Sequence, residues 1–518
     1  MLARVQSAAV VGLEASTVEV EVDVSPGIPM FTVVGLPDAG VREARERVRA
    51  AVRHSGYEMP VRRITVNLAP ADLRKEGSVF DLPIALGILT ATRQVPPAAL
   101  EGLVAVGELS LDGTVRPVSG VLSIAIAVRE RGGARGLLVP AANAGEAGIV
   151  SGVPVYPVAS LAEVAGSLRG LAAMRPLVDR GGPGPSVSHA VLDLADVRGQ
   201  AHARRALEIA AAGAHNVLMI GPPGAGKTML AHRIPSILPP LTPEEAIEVT
   251  RIYSVCGQLA PRDPLMTARP FRAPHHAVSL QALVGGGALP RPGEVSLAHL
   301  GVLFLDELPE FRRDVLEALR QPIEEGRVLV ARVHGTVAFP ARCMVIGAMN
   351  PCPCGYRGDP GHVCVCSPAQ RNRYVRRLSG PLIDRMDLHV DVPRVSGADL
   401  TAPAPGEASH GVRARVVRAR AIQAARGMGL GTAGLTNGTM PPAQMRRRSG
   451  LIDEARRFLH RAIDQLALSP RAYDRVVRVA RTIADLEEAG EVGVPHLAEA
   501  LEYRTLDRAA EPHRSEVG

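Results

Sequence analysis

Strand-like and helix-like segments follow one another along the first third of the chain. The runs "TVEVEVDV", "MFTVVGL" and "RITVNLAP" are alternating or almost wholly apolar, which is typical of β-strands. The runs "DAGVREARERVRAAVRHSG" and "DLPIALGILTATRQ" between and after them have the pattern of helices. Residues 1–169 are therefore predicted to form an α/β or α+β domain.

The rest of the chain is divided by two segments that are rich in Gly and Pro. Residues 170–190 are predicted to be a linker, and residues 191–395 alternate strands and helices again. A second cluster of Pro and Gly begins at 396. The sequence after it is helical and rich in Arg, as in "VRARVVRARAIQAARG" and "LIDEARRFLHRAIDQLAL". The pattern predicts an α/β core followed by a helical domain over 396–510.

The composition narrows the class of protein. The chain has 518 residues, of which 46% are hydrophobic and 21% charged, as in folded globular proteins of several domains. No apolar run approaches the ~18 residues that span a bilayer, so no membrane partner is expected. The start, "MLARVQSAAVVGLEAS", runs directly into the acidic alternation "STVEVEVDV", which favours a strand pair over a signal peptide. We expect a cytoplasmic protein whose cysteines are reduced thiols or metal ligands.

The charge permits nucleic-acid binding without requiring it, because the net charge is +7 and the basic residues are scattered. Aromatic residues make up 3% of the chain and Trp is absent, so a base-stacking surface for single strands is not expected. The basic residues are almost all Arg, and Lys75 and Lys227 are the two lysines.

The stretch "NVLMIGPPGAGKTML" joins an apolar strand to a helix through a glycine-rich loop that contains Lys227. This is the setting of the phosphate-binding P-loop, in which glycines let backbone N–H groups converge on phosphate oxygens. Lys227 would reach the β- and γ-phosphates of ATP, and Thr228 would bind Mg²⁺. The predicted ATP-binding residues are Gly221, Pro222, Pro223, Gly224, Ala225, Gly226, Lys227 and Thr228.

Two further apolar strands end in polar residues. "GVLFLDELPEF" places Asp306 and Glu307 at a strand end, where Asp306 would hold Mg²⁺ and Glu307 would polarise the attacking water. "ARCMVIGAMN" ends in Asn350, whose amide could hydrogen-bond that water or the γ-phosphate, although a strand-end Asn is usually a turn residue.

Four of the six cysteines lie in "MNPCPCGYRGDPGHVCVCSP", directly after Asn350. The spacing C-x-C-x9-C-x-C offers four thiolates suited to tetrahedral Zn²⁺, and this cysteine loop, residues 352–366, has little apolar content with which to fold without a metal. The alternative is four reduced thiols in a flexible loop. The predicted zinc ligands are Cys352, Cys354, Cys364 and Cys366.

These motifs, with "SGPLIDRMDL" at 379–388, resemble the AAA+ ATPases. "GQAHARRALEIAAAGAHNVLMIGPPGAGKTML", "RPFRAPHHAVSLQALVGGGALPRPGEVSLAHLGVLFLDELPEF" and "AMNPCPCGY" are similar to the magnesium-chelatase-like branch and, within it, to the ComM/YifB family. The resemblance implies an AAA+ P-loop core over 191–395 and a helical lid over 396–510. It also implies a ring, a homo-hexamer, with ATP at each subunit interface.

Two arginines take roles from this resemblance. Arg385 in "LIDRMDL" matches the arginine finger that reaches the γ-phosphate of a neighbouring subunit, a task that suits a planar, always charged guanidinium. Arg377 is an alternative for the finger. Arg471 in "LSPRAYDR" matches the sensor-2 arginine of the helical lid.

The N-terminal domain, residues 1–169, resembles the Lon-protease-like fold. Lon proteases use a Ser–Lys pair, but in "RKEGSVFDLP" the nucleophile position falls on Val79, after Ser78, and Leu122 occupies the lysine position. Lys75 lies in the wrong segment to replace that lysine. Because a serine without its base is not activated, we predict a structural or DNA-contacting module and not a peptidase.

The ComM/YifB resemblance implies an ATP-hydrolysing DNA helicase that promotes branch migration during homologous recombination or natural transformation, with branched or single-stranded DNA as its partner. "GRVLVARVHGTVAF" predicts a β-hairpin near His334 that would project toward the ring pore. A different class stays open: an ATPase that remodels protein partners, like a magnesium-chelatase motor subunit or a chaperone. The candidate phosphate contacts, each of which could instead belong to a solvated face, are Arg327, Arg332, Arg269 and Arg272.

Overall fold

The computed structural model describes residues 1–73, 75, 77–177, 192–260, 263–287, 290–332, 335–397, 399, 406–427 and 435–504. The chain divides into two compact units, one within 1–187 and 243–267 and the other within 188–242 and 268–518. Most of the predicted linker, 170–190, lies outside the described residues. Residues 243–267 fall within the 191–395 segment of the sequence, but in the structure they pack with the first unit.

A mixed sheet forms the centre of the first unit. Its strands are β1 (Leu2–Val11), β2 (Glu14–Ser25), β3 (Met30–Val34), β4 (Arg63–Ala69), β5 (Leu103–Ala105), β8 (Gly136–Pro140) and β9 (Val155–Val158), beside a hairpin of β6 (Glu108–Leu109) and β7 (Val115–Arg116). The sheet order is β3-β4-β2-β1-β5-β8-β9. The β1–β2 and β2–β4 pairs are antiparallel, and the other neighbours are parallel.

Helices cover both faces of this sheet. The helices of the first unit are α1 (Ala39–His54), α2 (Asp81–Ala91), α3 (Pro97–Leu100), α4 (Val121–Arg131), α5 (Ala144–Ala147), α6 (Leu161–Leu168) and, from the later segment, α10 (Pro243–Val255), which packs against α4. Along β1, Val5 and Ala9 join one buried cluster while Ala8 joins another. Because successive side chains of a strand point to opposite faces, the first unit has a core on each side of its sheet.

The second unit is built on a parallel sheet. Its strands are β10 (Val217–Ile220), β11 (Phe271–Arg272), β14 (Val302–Leu305), β17 (Met344–Met349) and β18 (Leu388–Asp391). They lie in the order β11-β14-β17-β10-β18, and every neighbouring pair is parallel. Two small hairpins accompany them, formed by β12 (Gly285–Gly286) with β13 (Arg291–Pro292) and by β15 (Arg327–Arg332) with β16 (Gly335–Pro340).

The predicted helical segment shares one core with this sheet. A single buried cluster contains Ile346 of β17 together with Val416, Leu459 and Val476 of the later helices. The helices of the second unit are α7 (Ala201–Gly213), α8 (Lys227–Ala231), α9 (Ile234–Ile237), α11 (Leu280–Val284), α12 (Glu294–Leu297), α13 (Arg313–Ala318), α14 (Arg320–Glu325), α15 (Pro368–Val375), α16 (Gly380–Ile383), α17 (Ser409–Gly427), α18 (Pro442–Arg448), α19 (Asp453–Leu466), α20 (Pro470–Leu486) and α21 (Val494–Glu502).

The predicted α/β fold class, with an AAA+ P-loop core, is confirmed by this parallel sheet and its flanking helices. Among the residues that the structure describes, no helix has both the length and the apolar character needed to cross a bilayer.

Candidate nucleotide and metal sites

The carboxyl ends of three neighbouring strands bring the predicted nucleotide residues together. β10 leads into the P-loop, β14 ends before Asp306, and β17 lies between them and ends before Asn350. In the parallel register Ile220 is opposite Met349, and Leu305 is opposite Gly347, so the three strands end close to one level. Ligands of open parallel sheets bind at this edge.

Glycines give the P-loop its path. A Cβ on Gly221 would lie 2.1 Å from the carbonyl oxygen of Val392, which is closer than any real side chain can approach. Gly224 and Gly226 have φ of 76° and 91°, in the left-handed region that other residues rarely adopt. The loop can therefore turn tightly and expose its backbone N–H groups before α8 begins at Lys227.

The side chain of Lys227 folds back onto the P-loop that precedes it. Its ammonium donates to the carbonyl oxygens of Gly221 at 2.6 Å and Pro222 at 3.0 Å, and to Oδ1 of Asn350 at 3.1 Å. Burial lowers the pKa of Lys227, while the carboxylates of Asp306 and Glu307 oppose that shift. The structure thus places a buried cation and the Asn350 amide side by side at the edge where phosphates would bind.

Thr228 and the acidic pair complete this edge. The Thr228 hydroxyl donates to Oδ2 of Asp306 at 2.7 Å, and the Glu307 N–H donates to Oδ1 of Asp306 at 2.9 Å. A hydroxyl beside a carboxylate is an oxygen pair of the kind that Mg²⁺ accepts. The Glu307 side chain is 60% exposed and its backbone is left-handed, with φ of 52°.

His276 also lies at this edge, although the sequence motifs did not predict it there. Its Nδ1 lies 3.4 Å from Oε2 of Glu307, and its ring lies 4.0 Å from the ring of His275, centroid to centroid. The imidazole can therefore hold the Glu307 carboxylate in place. No local signal in "RPFRAPHHAV" could have revealed this contact, because His276 and Glu307 follow different strands.

Arg385 lies at the opposite edge of the same sheet. It lies three residues before β18, whose first residue, Leu388, is opposite Val217 at the start of β10. The Asn216 side chain donates to the carbonyl oxygen of Arg385 at 3.2 Å. The length of β10, four residues at about 3.3 Å each, or about 13 Å, therefore separates this segment from the P-loop of its own chain.

Positive charge gathers around Arg385. Burial lowers its pKa, and Arg320 and Arg471 lower it further, whereas the ion pair with Glu324 raises it. Nε of Arg385 and of Arg320 are buried and have no hydrogen-bond partner among the described residues. Three guanidinium groups thus lie near one another at this amino edge of the sheet, and each faces a carboxylate: Glu324 for Arg385, Glu317 for Arg320 at 2.9 Å, and Asp384 for Arg471 at 3.5 Å.

Arg471 belongs to this same edge. It stands at the start of α20, is 61% exposed, and contacts Oδ2 of Asp384 at 3.5 Å. Asp387 also connects α20 to the segment before β18. It accepts a hydrogen bond from Arg475 of α20 at 2.7 Å and faces Nδ1 of His215 at 3.3 Å. Burial would raise the pKa of Asp387, but these two partners outweigh it and hold the pKa below its usual range.

The alternative finger, Arg377, lies elsewhere. Its guanidinium donates to both carboxylate oxygens of Glu310 at 2.8 Å. Glu310 follows Glu307 by three residues, in the turn after β14. Arg377 is therefore on the side of its own chain's nucleotide residues, whereas Arg385 is not.

The four cysteines of the cysteine loop converge. Their sulfur atoms all lie within 4.8 Å of one another. Sγ of Cys352 lies 3.4 Å from Cys354 and 3.7 Å from Cys364, and Cys354 and Cys364 are 3.7 Å apart. Tetrahedral zinc with Zn–S bonds of about 2.3 Å requires S–S separations of about 3.8 Å. The donor set and its spacing therefore fit a metal such as zinc.

One of these thiols is prepared to ionise. The backbone N–H of Tyr356 lowers the pKa of Cys354 to about 6, with Cys352 and Cys366 contributing in the same direction. Thiolates, and not thiols, are metal ligands. Cys354 is therefore the thiol of the cluster that ionises most readily, whereas burial and the neighbouring thiols raise the pKa of Cys352.

The predicted hairpin of β15 and β16 is confirmed, with Arg332 opposite Gly335. Its turn, including His334, lies outside the described residues. Arg327 is 58% exposed and lies 3.3 Å from Glu325.

Two of the other candidate phosphate contacts are engaged within the unit. Arg269 donates to the carbonyl oxygens of Pro239 at 2.6 Å and Leu300 at 2.7 Å. Arg272 pairs with both oxygens of Glu294 at 2.7 and 2.8 Å. These contacts give both arginines a place in the fold of the unit, so Arg327 is the stronger candidate for a phosphate contact.

The positions compared with the Lon Ser–Lys pair are also defined. Ser78 donates to the Glu108 carboxylate, Leu122 is fully buried in α4, and the Lys75 ammonium donates to the carbonyl oxygen of Pro70. The contact that the structure gives Ser78 is thus with a carboxylate and not with a lysine. The non-proteolytic interpretation stays a prediction.

Strand order, P-loop and acidic strand end together define the second unit as an AAA+ P-loop ATPase core. Three models of the magnesium chelatase family match the chain: "Subunit ChlI of Mg-chelatase" over residues 20–143, "Magnesium chelatase, subunit ChlI" over 193–400, and "Magnesium chelatase, subunit ChlI C-terminal" over 406–504.

The chain is similar over nearly its whole length to proteins of one bacterial family. It is 46% identical over 513 residues to the competence protein ComM of Haemophilus influenzae, and 45% identical over 511 residues to the protein YifB of Salmonella typhimurium. Each alignment covers 98% of this chain and 98% of the relative. The chain belongs to the ComM/YifB family of magnesium-chelatase-like AAA+ ATPases, as its motifs predicted.

Proposed function

We propose that this protein is a cytoplasmic ATP-driven DNA motor, a ComM-like helicase that promotes branch migration during recombination or natural transformation. The observation that supports the motor part is that the predicted nucleotide residues lie at two opposite edges of one sheet. Lys227 and Asp306 stand at the carboxyl edge, and Arg385 stands at the amino edge of the same sheet. Such a chain completes its site by stacking against another copy of itself.

At the carboxyl edge, each residue has a task that its geometry supports. Lys227 binds the β- and γ-phosphates of ATP in exchange for its carbonyl contacts, and Thr228 and Asp306 hold Mg²⁺, which neutralises phosphate charge when bound. Glu307 orients and polarises the attacking water, with its carboxylate restrained by His276. Asn350, already hydrogen-bonded to Lys227, orients the water or the γ-phosphate.

At the amino edge, Arg385 contacts the nucleotide of a neighbouring subunit. Arg471 lies near Arg385 and can contact the same nucleotide. A head-to-tail interface that repeats the same contact closes into a ring, and we propose the homo-hexamer that the family resemblance implies. The nearness of Arg320 and Arg471 to Arg385 supports this assignment, because clustered guanidinium groups can contact several phosphate oxygens of a neighbour's nucleotide.

DNA is the proposed substrate of the ring. Two observations support this proposal: the Haemophilus relative is named a competence protein, and this chain carries a net charge of +7. The β15–β16 hairpin supplies an exposed cation at Arg327. Contacts from such a hairpin to phosphates would grip DNA without reading its sequence.

We expect branched or single-stranded DNA to raise the ATPase rate, and added salt to weaken DNA binding steeply. The variant with Arg327→Ala and Arg332→Ala should lose most of this stimulation and keep its basal rate. The slope of log K against log salt should fall by about 2, one for each lost phosphate contact. The measurements are ATPase rates with and without DNA, and fluorescence anisotropy of labelled DNA between low and high salt.

A matched control is Arg456→Ala. Arg456 is 60% exposed and lies 3.9 Å from Asp453, so its exposure and pairing resemble those of Arg327, but it lies on helix α19. It should change neither the stimulation nor the salt slope.

The magnesium chelatase family models favour a second candidate, an ATPase that remodels a protein partner. Stimulation by a protein partner, with no binding of DNA at low salt, would establish that candidate instead.

We further propose that the cysteine loop binds zinc. Purified protein should contain about one Zn²⁺ per chain if all four thiolates ligate it. Cys364→Ser should lower the zinc content and the melting temperature, whereas Cys256→Ser, outside the cluster, should leave the zinc content unchanged. Mass spectrometry of protein prepared without chelators measures the metal, and its complete absence would return the loop to four reduced thiols.

A further inference from the structure

The cysteine loop does not hold itself together by apolar packing. The whole segment between Met349 of β17 and Pro368 of α15 is irregular. Its valines point outward, since Val363 is 87% exposed and Val365 is 82% exposed. Buried Cys352 and the sulfur cluster are what this loop has at its centre. The metal would therefore fix the conformation of the loop.

The same loop lies against the P-loop. Gly355 has φ of 86°, and a Cβ built on it would lie 2.7 Å from Cδ and 2.8 Å from Cγ of Pro223. A distance below 3.0 Å leaves no room for a side chain. The backbone of the cysteine loop is therefore in direct contact with the proline ring at the tip of the phosphate-binding loop.

A second connection runs through Asn350. Its side chain accepts from the Lys227 ammonium at 3.1 Å, and Cys352 follows it by two residues. The hydroxyl of Tyr374, on the helix after the cysteine loop, interacts with the backbone of Asn350; burial, opposed by that interaction, raises the pKa of Tyr374 to about 12. Both ends of the cysteine loop thus lead to the residue that contacts Lys227.

We propose that metal binding by the four cysteines holds the nucleotide site in its ATP-binding form, by pressing Gly355 against Pro223 and fixing Asn350 beside Lys227. This inference rests on the proposed zinc site. When the thiolates lose their metal, the loop is free to move away from Pro223, and Asn350 loses its support on one side. Zinc occupancy thereby controls the affinity for ATP from outside the phosphate-binding residues.

The first test removes the metal from the full-length protein. Zinc is extracted with a chelator, and the Kd of a fluorescent, slowly hydrolysed ATP analogue is measured before extraction, after it, and after zinc is returned. Supporting residues around a bound group typically contribute 10–100-fold, and we expect the Kd to rise by roughly tenfold and to recover with zinc. Circular dichroism shows whether the fold survives extraction.

The second test keeps the metal and breaks the contact. Gly355→Ala places a methyl group where Pro223 lies, whereas Gly358→Ala, in the same loop with φ of 79°, meets nothing within 4 Å. Both substitutions strain the backbone in the same way, so they differ in the contact with the P-loop. Gly355→Ala should weaken analogue binding by several-fold and retain its zinc, and Gly358→Ala should bind the analogue like the unmodified protein.

The outcomes separate this inference from the proposals beneath it. Protein that contains no zinc contradicts the zinc site itself. If the protein contains zinc but the Kd of the analogue does not change on chelation, the zinc site stands and its control over ATP binding is wrong. Equal Kd values for the two glycine variants overturn the route through Pro223. Protein that binds no analogue in any form, with zinc present, contradicts the nucleotide site instead.

Discussion

Replacing Lys227 with alanine is expected to abolish ATP turnover, with a loss of about 10³-fold or more. The ammonium is the cation that the P-loop holds among its own carbonyl oxygens and beside Asn350, and no other lysine lies in this unit. Because alanine supplies no charge for the β- and γ-phosphates, binding of ATP should weaken as well. Phosphate release and binding of a fluorescent ATP analogue measure the two effects.

Glu307→Gln gives the complementary result at the same site. The substitution keeps the size of the side chain and its place beside His276 but removes the carboxylate that polarises water. Hydrolysis should fall by about 10²–10⁴-fold while ATP binding is retained. An active Glu307→Gln enzyme would remove this residue from the mechanism, whereas loss of binding in this variant would indicate a structural role.

The second large effect concerns Arg385. Arg385→Ala should bind ATP and fail to hydrolyse it, since an arginine finger contributes about 10³–10⁵-fold. Mixing it with Lys227→Ala should restore activity. In randomly mixed rings roughly a quarter of the interfaces would join an intact P-loop to an intact finger. The measurement is the ATPase rate of the two variants alone and after joint reassembly.

The geometry explains why the mixture is decisive. If Arg385 acted on the nucleotide of its own chain, neither variant would own a complete site, and mixing would restore nothing. Arg385→Ala also removes the ion pair with Glu324, and loss of that pair could by itself lower the activity. Glu324→Gln breaks the same pair and leaves the guanidinium, so it should retain hydrolysis. A Glu324→Gln variant as inactive as Arg385→Ala would assign the loss to the pair instead.

The sequence by itself determined the local chemistry. The P-loop needs glycine at Gly224 and Gly226, where φ is 76° and 91°. A requirement of this local kind can be recognised directly in the sequence. The strand ends that carry Asp306 and Asn350 were equally visible, because a buried strand is an uninterrupted apolar run. The spacing of the four cysteines predicted their convergence for a similar reason, since all four lie within one loop.

The tertiary structure decided which of these residues share a site. The order β14-β17-β10 brings Asp306 and Asn350 to Lys227, while the parallel pairing of β10 with β18 sends Arg385 to the other edge. The contacts of His276 with Glu307 and of Gly355 with Pro223 depend on the same arrangement. A periodic pattern fixes the backbone of a segment and the face it buries. The neighbours of that segment are set by strand order and packing between residues far apart in the chain, which no local pattern records.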